Sequence, residues 1–367
     1  MHPTSPFRCA LLLLVSLLGS TGASAAVYCA SNATDLQNML DAAAGSADDD
    51  IIRVRLGNFV APGDVNGFTY VSGNDGALTI SGNWTGNVAN PGSCARQLET
   101  QQVTWLTGNG QRRALTASMT SMSPGILRIE QIQFLDGLTG LSSFGGCVSI
   151  ASAYGTVQIE RSVFAGCIAP LGDGGGLALQ AKSAQIKGNV FHHNTARRGG
   201  AAFIDGRGGA LVLNNNTVAD NLAEGLTGAA GGIQFVKSGI DGAAAAVWAS
   251  NNLVWGNNAG TDRYDIDVSG LSANAAVLRY NHLGVVKGTP APSSSNTTSG
   301  DPHFVLASRE FWFHYATTPA SVARNSGNNA PTGGLTSIDI NGGLRIQGVA
   351  VDRGAFELDE LFGSSFE

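Results

Sequence analysis

Charge is scarce in this chain. Asp, Glu, Lys and Arg make up 13% of its 367 residues, and 27 acidic against 21 basic side chains leave a formal charge of -6. Nucleic-acid binding needs clustered Lys and Arg to neutralise phosphates, so that class of partner is excluded. No Cys-x-x-Cys pair occurs and no His stands at ligand spacing, which leaves no zinc site to expect. The Gly-rich run Gly225–Gly232 lacks the Lys-Ser or Lys-Thr that would make it a phosphate cradle. Outside the N-terminus no stretch approaches the roughly 18 consecutive apolar residues of a membrane helix, so no span is expected in the mature chain. Disorder is excluded as well, because 43% of the residues are hydrophobic.

What is present begins with a leader. Arg8, the apolar run Cys9–Leu18 and the small residues Ala23–Ala26 read as a secretory signal peptide over residues 1–26. Tyr28 before Cys29 disfavours lipid attachment, where a small residue is needed. Four cysteines remain, Cys29, Cys94, Cys147 and Cys167, and an even number in an exported chain predicts two disulfides. Of three connectivities the favoured one pairs Cys147 with Cys167, at the two ends of one coil, and Cys29 with Cys94.

The dominant feature is a repeat. Between Leu127 and Leu283 the chain six times writes aliphatic, outward residue, aliphatic, a short corner, then Phe, Val or Leu. Alignment gives the columns Leu127/Val157/Ala184/Leu211/Val247/Ala276, Ile129/Ile159/Ile186/Leu213/Ala249/Leu278 and Phe134/Phe164/Phe191/Val218/Val254/Leu283. The last column advances by 30, 27, 27, 36 and 29 residues, the constant-strand, variable-loop signature of a solenoid. Alternation places Val157 and Ile159 inward, with Gln158 and Glu160 facing water. The corner reads Ser162, Asn189, Asn216, Asn252, Asn281, where asparagine suits a left-handed backbone and its amide can bond the next coil. A second asparagine column is Asn194, Asn221, Asn257, and glycine pairs such as Gly145-Gly146 and Gly199-Gly200 precede a further strand. These features predict an all-β fold, a right-handed parallel β-helix with three strands per coil, over residues 27–290. Thr34-Asp-Leu-Gln37 reads as a capping box opening a short helix with apolar face Leu36, Met39, Leu40 and Ala43, a lid on the open end. Residues 291–367 are expected to form a C-terminal cap.

The glycine pairs followed by an aliphatic or small residue, with Phe191-His-His-Asn194 and its variants Val218–Asn221, Val254–Asn257 and Phe164–Cys167, resemble the repeats of polymorphic outer-membrane proteins. That resemblance implies a right-handed β-helix. Asp301-Pro-His-Phe304, Asn325–Asn329, Asp339–Arg345 and Val351–Glu357 resemble the choice-of-anchor Q domain of exported bacterial proteins, although Ala320–Ala323 lacks that family's usual acidic residue. It implies an end cap and a secreted or surface location, and nothing catalytic.

Candidate ligand contacts lie in the unrepeated loops, which a rigid scaffold presents in one lateral groove. The richest cluster is Asp173, Lys182, His192, His193, Arg197, Arg198, Asp205 and Arg207. Arginines could meet an acidic polysaccharide or cell-surface glycan, so the expectation is a monomeric, secreted or surface protein, adhesin-like and without a cofactor. The alternative is a polysaccharide lyase, in which Ca²⁺ or Arg neutralises a uronate and Lys, Arg or His removes the adjacent proton. Only in that case would calcium be needed. Asp262-Arg-Tyr-Asp-Ile-Asp267 lacks the spacing of a calcium loop and reads as a polar strand start. Trp248 and Trp255, outward in one coil, could stack on sugar rings or pack under a loop.

Overall fold

The computed structural model describes residues 25–99, 103–140, 143–225, 229–238, 246–259, 263–306 and 311–358. The expected leader up to residue 24, Asp262, and the tail from 359 lie outside the described residues. Strand dominates, with one α-helix, Ala33–Ala44, and one 3₁₀ turn, Trp312–Tyr315, among the described residues. The strands form sheets of sixteen, eight and four members. Among the described residues all strand pairings are parallel except that of Trp84–Thr85 with Arg96–Gln97, and two isolated bridges in the C-terminal segment, Phe304 with Thr317 and Ile338 with Leu344, are antiparallel. The chain passes from the first sheet (Leu177–Lys187) to the second (Val190–His192), to the third (Thr195–Arg198), and back to the first (Ala202–Gly206). Repetition of that circuit is compatible with a parallel β-helix.

All three aligned columns are the observed strand registers. Leu127, Val157, Ala184, Leu211, Val247 and Ala276 pair in succession, as do the six residues of the second column. The aromatic column runs through the second sheet, with Phe134, Phe164 and Phe191 stacked at 5.1 and 4.4 Å between ring centroids. These residues form one continuous buried core, to which each Val, Leu, Ile or Phe contributes about 1.5–3 kcal/mol. Gln158, expected to face water, is buried instead. It stands between Arg128 and Gln185 of adjacent coils, and parallel strands only about 4.8 Å apart let long outward side chains cover one another.

The corners differ from expectation in one respect. The left-handed residue is not the asparagine but the one before it: Arg161, Gly188, Asn215, Asn251 and Tyr280 at the first corner, with φ of 48–64°. The following residue, Ser162 and then asparagine in the four later coils, turns inward and is buried. The asparagine amides then form a ladder along the stack: Asn189 donates to Asn216 (3.0 Å), Asn216 to Asn252 (2.9 Å) and Asn252 to Asn281 (2.9 Å). A second ladder joins Asn194, Asn221 and Asn257 and ends on the buried carboxylate of Asp265, which accepts from Asn257 at 2.8 and 2.9 Å. Burial pushes the Asp265 pKa up, against the hydrogen bonds that lower it. The glycine pairs have two separate jobs. Gly145, Gly174 and Gly199 adopt φ of 60–75°, while a Cβ on Gly146, Gly175 or Gly200 would stand 2.3–2.4 Å from a carbonyl oxygen of the next coil.

Both disulfides pair as expected, Cys29 with Cys94 and Cys147 with Cys167. The helix N-cap is Asn32, two residues before Thr34 of the expected capping box, and its Oδ1 accepts from the Asp35 amide at 2.9 Å. Leu36, Leu40 and Ala43 are buried, and Met39 packs partly against the same core. Gln37 faces the edge strand Phe68–Ser72, where it donates to the Thr69 carbonyl (3.0 Å) and accepts from the Thr69 amide (2.9 Å).

Only the first part of the C-terminal segment lies on the end of the stack. Ser295 and Thr298 bridge to Arg279 and His282, extending the last coil. The chain then returns along the corner: Arg353 reaches the Asn281 carbonyl (3.0 Å), Asn328 the Asn251 side chain (2.7 Å), and Gly333 accepts from Lys187 (2.6 Å). Tyr315, Ile340, Ala355 and Phe356 bury the outward side chains Val163, Ala165, Val190 and Ala219 of the second sheet. An outward apolar face on a parallel sheet needs such a cover.

Candidate functional site

The outward residues of the first sheet form columns too. One runs Ser149, Ala178, Phe203, Gln234, and its neighbour Ala151, Gln180, Asp205, Val236. The first column steps from small to large at Phe203, and the second one coil earlier, at Gln180. Where the side chains are small, the surface sinks into a cleft of about 520 Å³ floored by Ser149, Ala151 and Ala178. Phe144 and Phe203 form one wall, stacked at 6.3 Å with Phe144 half exposed. Arg198 lies 4.9 Å over the Phe203 ring, and Arg207 and Ser238 border the opposite side.

Two buried aspartates fix these arginines. Asp173 has no exposed surface and accepts forked contacts from both Arg197 (3.1 and 3.0 Å) and Arg198 (3.0 and 2.5 Å). The strand register explains the meeting, since Asp173 pairs with Arg198 in the third sheet. Hydrogen bonding to Asp173 pushes the Arg198 pKa above its ordinary value. Asp205 accepts from the Ser238 amide (2.8 Å) and Gln180 (3.2 Å) and makes an ion pair with Arg207 at 3.3 Å. Arg207 also donates to the Ser238 carbonyl at 2.8 Å. The nearby Asp267 is balanced by Lys287 at 3.4 Å.

Of the residues singled out from sequence, the structure therefore gathers Arg197, Arg198, Asp173, Asp205 and Arg207. Asp173 is a buried counter-ion, not a lining residue, because the two arginines enclose it. His192 and His193 do not join this cleft. His192 belongs to a second-sheet strand, is 4% exposed, and lines a different groove. Its burial, with His193 and His314 nearby, lowers its pKa to about 3 and keeps it neutral. Lys182 is exposed at the bend of Leu177–Lys187, away from the cleft lining. Trp255 meets Phe304 edge-on at 6.3 Å and packs beneath the C-terminal segment. Phe144, Phe203 and the small floor residues were missed. The step from Ser and Ala to Phe in one aligned column was the signal that could have found them.

Among the described residues no group of three or more His, Cys, Asp or Glu side chains could hold a metal ion, and no helix is long and apolar enough to cross a membrane. No family model, curated protein or solved structure matches the chain.

Proposed function

We propose that the mature chain is an exported, right-handed parallel β-helix with three strands per coil that binds an acidic polysaccharide or cell-surface glycan in this cleft without cleaving it. In this reading it acts as a monomer, secreted or held at the outer cell surface, with no cofactor. The observation that carries the reading is the pair of anchored arginines beside an aromatic wall. Arg198 and Arg207 line the cleft, held by Asp173 and Asp205, and Arg197 adds a third guanidinium on Asp173. A guanidinium matches a uronate carboxylate, and the Phe144 and Phe203 rings suit the apolar face of a sugar. The two disulfides are compatible with an oxidising, extracellular compartment. The resemblances to outer-membrane repeats and to the anchor-type segment favour a surface location.

Nothing in the cleft favours the lyase alternative. A base that removes the proton beside a uronate must shed its own proton near working pH, and Arg198 is shifted the opposite way. Hydrolysis needs two carboxylates facing the substrate about 5–10 Å apart, and Asp173 has no surface to present.

Titration calorimetry with oligogalacturonate tests the reading. Saturable binding is expected, weakened by salt and at least tenfold by Arg207→Ala, with no ultraviolet absorbance from unsaturated products with or without Ca²⁺. Accumulation of such products, abolished by Arg198→Ala, would replace the reading with a lyase. Absence of binding across a panel of uronate polymers would remove the acidic-glycan assignment.

A further inference from the structure

A second groove of about 600 Å³ lies on the outward face of the second sheet, beside the 3₁₀ turn Trp312–Tyr315. Its floor follows two strand columns. Trp105 pairs with Gln133 and Gln133 with Val163, while Leu135 pairs with Ala165 and Ala165 with His192. Trp105 and His192 thus stand three strand spacings apart, about 14 Å at about 4.8 Å each. The groove is long enough for an oligomer.

The aromatic side of the groove is firmly seated. Tyr315 is fully buried and donates to Asp220 Oδ2 at 2.9 Å, and Trp312 stacks on Phe356 at 5.9 Å. Phe311 and Phe313 alternate with these anchors and stay 55% and 49% exposed, parallel to within 2° at 5.5 Å. Trp105, at the far end, is 42% exposed. Polar groups stand on the same surface. Asp136 lies at its edge, and His192 is nine-tenths buried with Nδ1 3.0 Å from His193 Nδ1. Among the described residues the lining contains no Lys or Arg.

We propose that this groove binds a neutral oligosaccharide, with sugar rings against Trp105, Phe311 and Phe313 and hydroxyls on Asp136 and His192. Flat rings beside hydrogen-bonding groups match the two kinds of surface on a pyranose. Among the described residues, a uronate would meet the Asp136 carboxylate without a compensating cation. An acyl chain would desolvate that carboxylate and the His192 ring with no hydrogen bond in return. The proposal is independent of the acidic-glycan reading, because the two clefts lie on different sheets and share no lining residue.

Titration calorimetry of the full chain with neutral hexaoses (cello-, xylo- and malto-series) tests it. At least one series should bind saturably, with affinity reduced at least tenfold by Trp105→Ala and by Phe313→Ala, largely retained in Trp105→Phe, and unchanged by Arg207→Ala. Circular dichroism of the two alanine variants should match that of the parent, since all three aromatic side chains are half exposed. Failure of every neutral hexaose to bind, equal binding by both alanine variants, or displacement of the sugar only by a fatty acid or apolar peptide would overturn the proposal.

Discussion

The Asn216 amide is hydrogen-bonded on both sides. Its Nδ2 donates to the Ile186 carbonyl (2.8 Å) and to Asn252 (2.9 Å), and its Oδ1 accepts from the Asn189 backbone (3.1 Å) and side chain (3.0 Å). All three asparagines are buried, so no water replaces a lost partner. An orphaned buried polar group costs about 1–3 kcal/mol, and Asn216→Ala orphans more than one. We expect a loss of about 3–5 kcal/mol, read as a lower urea midpoint with an unchanged slope. A loss below about 1 kcal/mol would mean that the ladder relaxes around the gap. Periodicity located these asparagines, but the left-handed turn belongs to the residue before each. Arg161, Asn215 and Tyr280 share no side-chain chemistry, so no residue type marks that position.

At the scale of an element, Cys167 shows one corner solved in two ways. It occupies the position that Asn194 and Asn221 hold in later coils, and its backbone amide donates to Asn194 Oδ1 at 3.1 Å. In place of an amide ladder it carries the disulfide to Cys147, which closes a loop of 20 residues. Such a loop is worth about 3 kcal/mol in the chain-entropy model. The double variant Cys147→Ala/Cys167→Ser should lose about that much. Cys147→Ala/Cys167→Asn should recover about 1 kcal/mol by extending the ladder one coil, as measured by denaturant melts of both proteins. Equal stability of the two would show that this coil cannot seat an amide. The helix teaches a related lesson. Its apolar face was plain from spacing, whereas Gln37, read as part of a capping box, instead pairs with the backbone of Thr69. That edge strand is remote in sequence, and local signals carry no trace of it.

For the whole molecule, the C-terminal segment acts as a strap along the flank. It covers Val163, Ala165, Val190 and Ala219, apolar residues that face outward and would otherwise form an exposed patch. It also carries Trp312 and Phe313, which wall the second groove. A chain ending at Asp301 should therefore associate with itself, giving concentration-dependent species by light scattering. It should also lose neutral-hexaose binding while keeping the Arg197–Asp173–Arg198 cluster and oligogalacturonate binding. A monomeric truncated chain would show that the strap is dispensable for solubility.

The sequence by itself determined the coil register, the inward columns and the presence of a cap helix, and it favoured, among three connectivities, the disulfide pairs that form. Each depends on alternation or spacing along one strand, and stacked coils repeat that local pattern. Only the tertiary structure decided where the cationic cleft lies, that Asp173 is buried beneath two arginines, that His192 faces another groove, and that the last segment turns back along the flank. Those facts depend on which outward side chains meet across coils and on a segment folded over residues more than a hundred positions earlier, as Lys187 on Gly333 shows. Repetition encodes the interior of such a stack. Its surface is set by the unrepeated residues, whose neighbours exist only once the coils are in place.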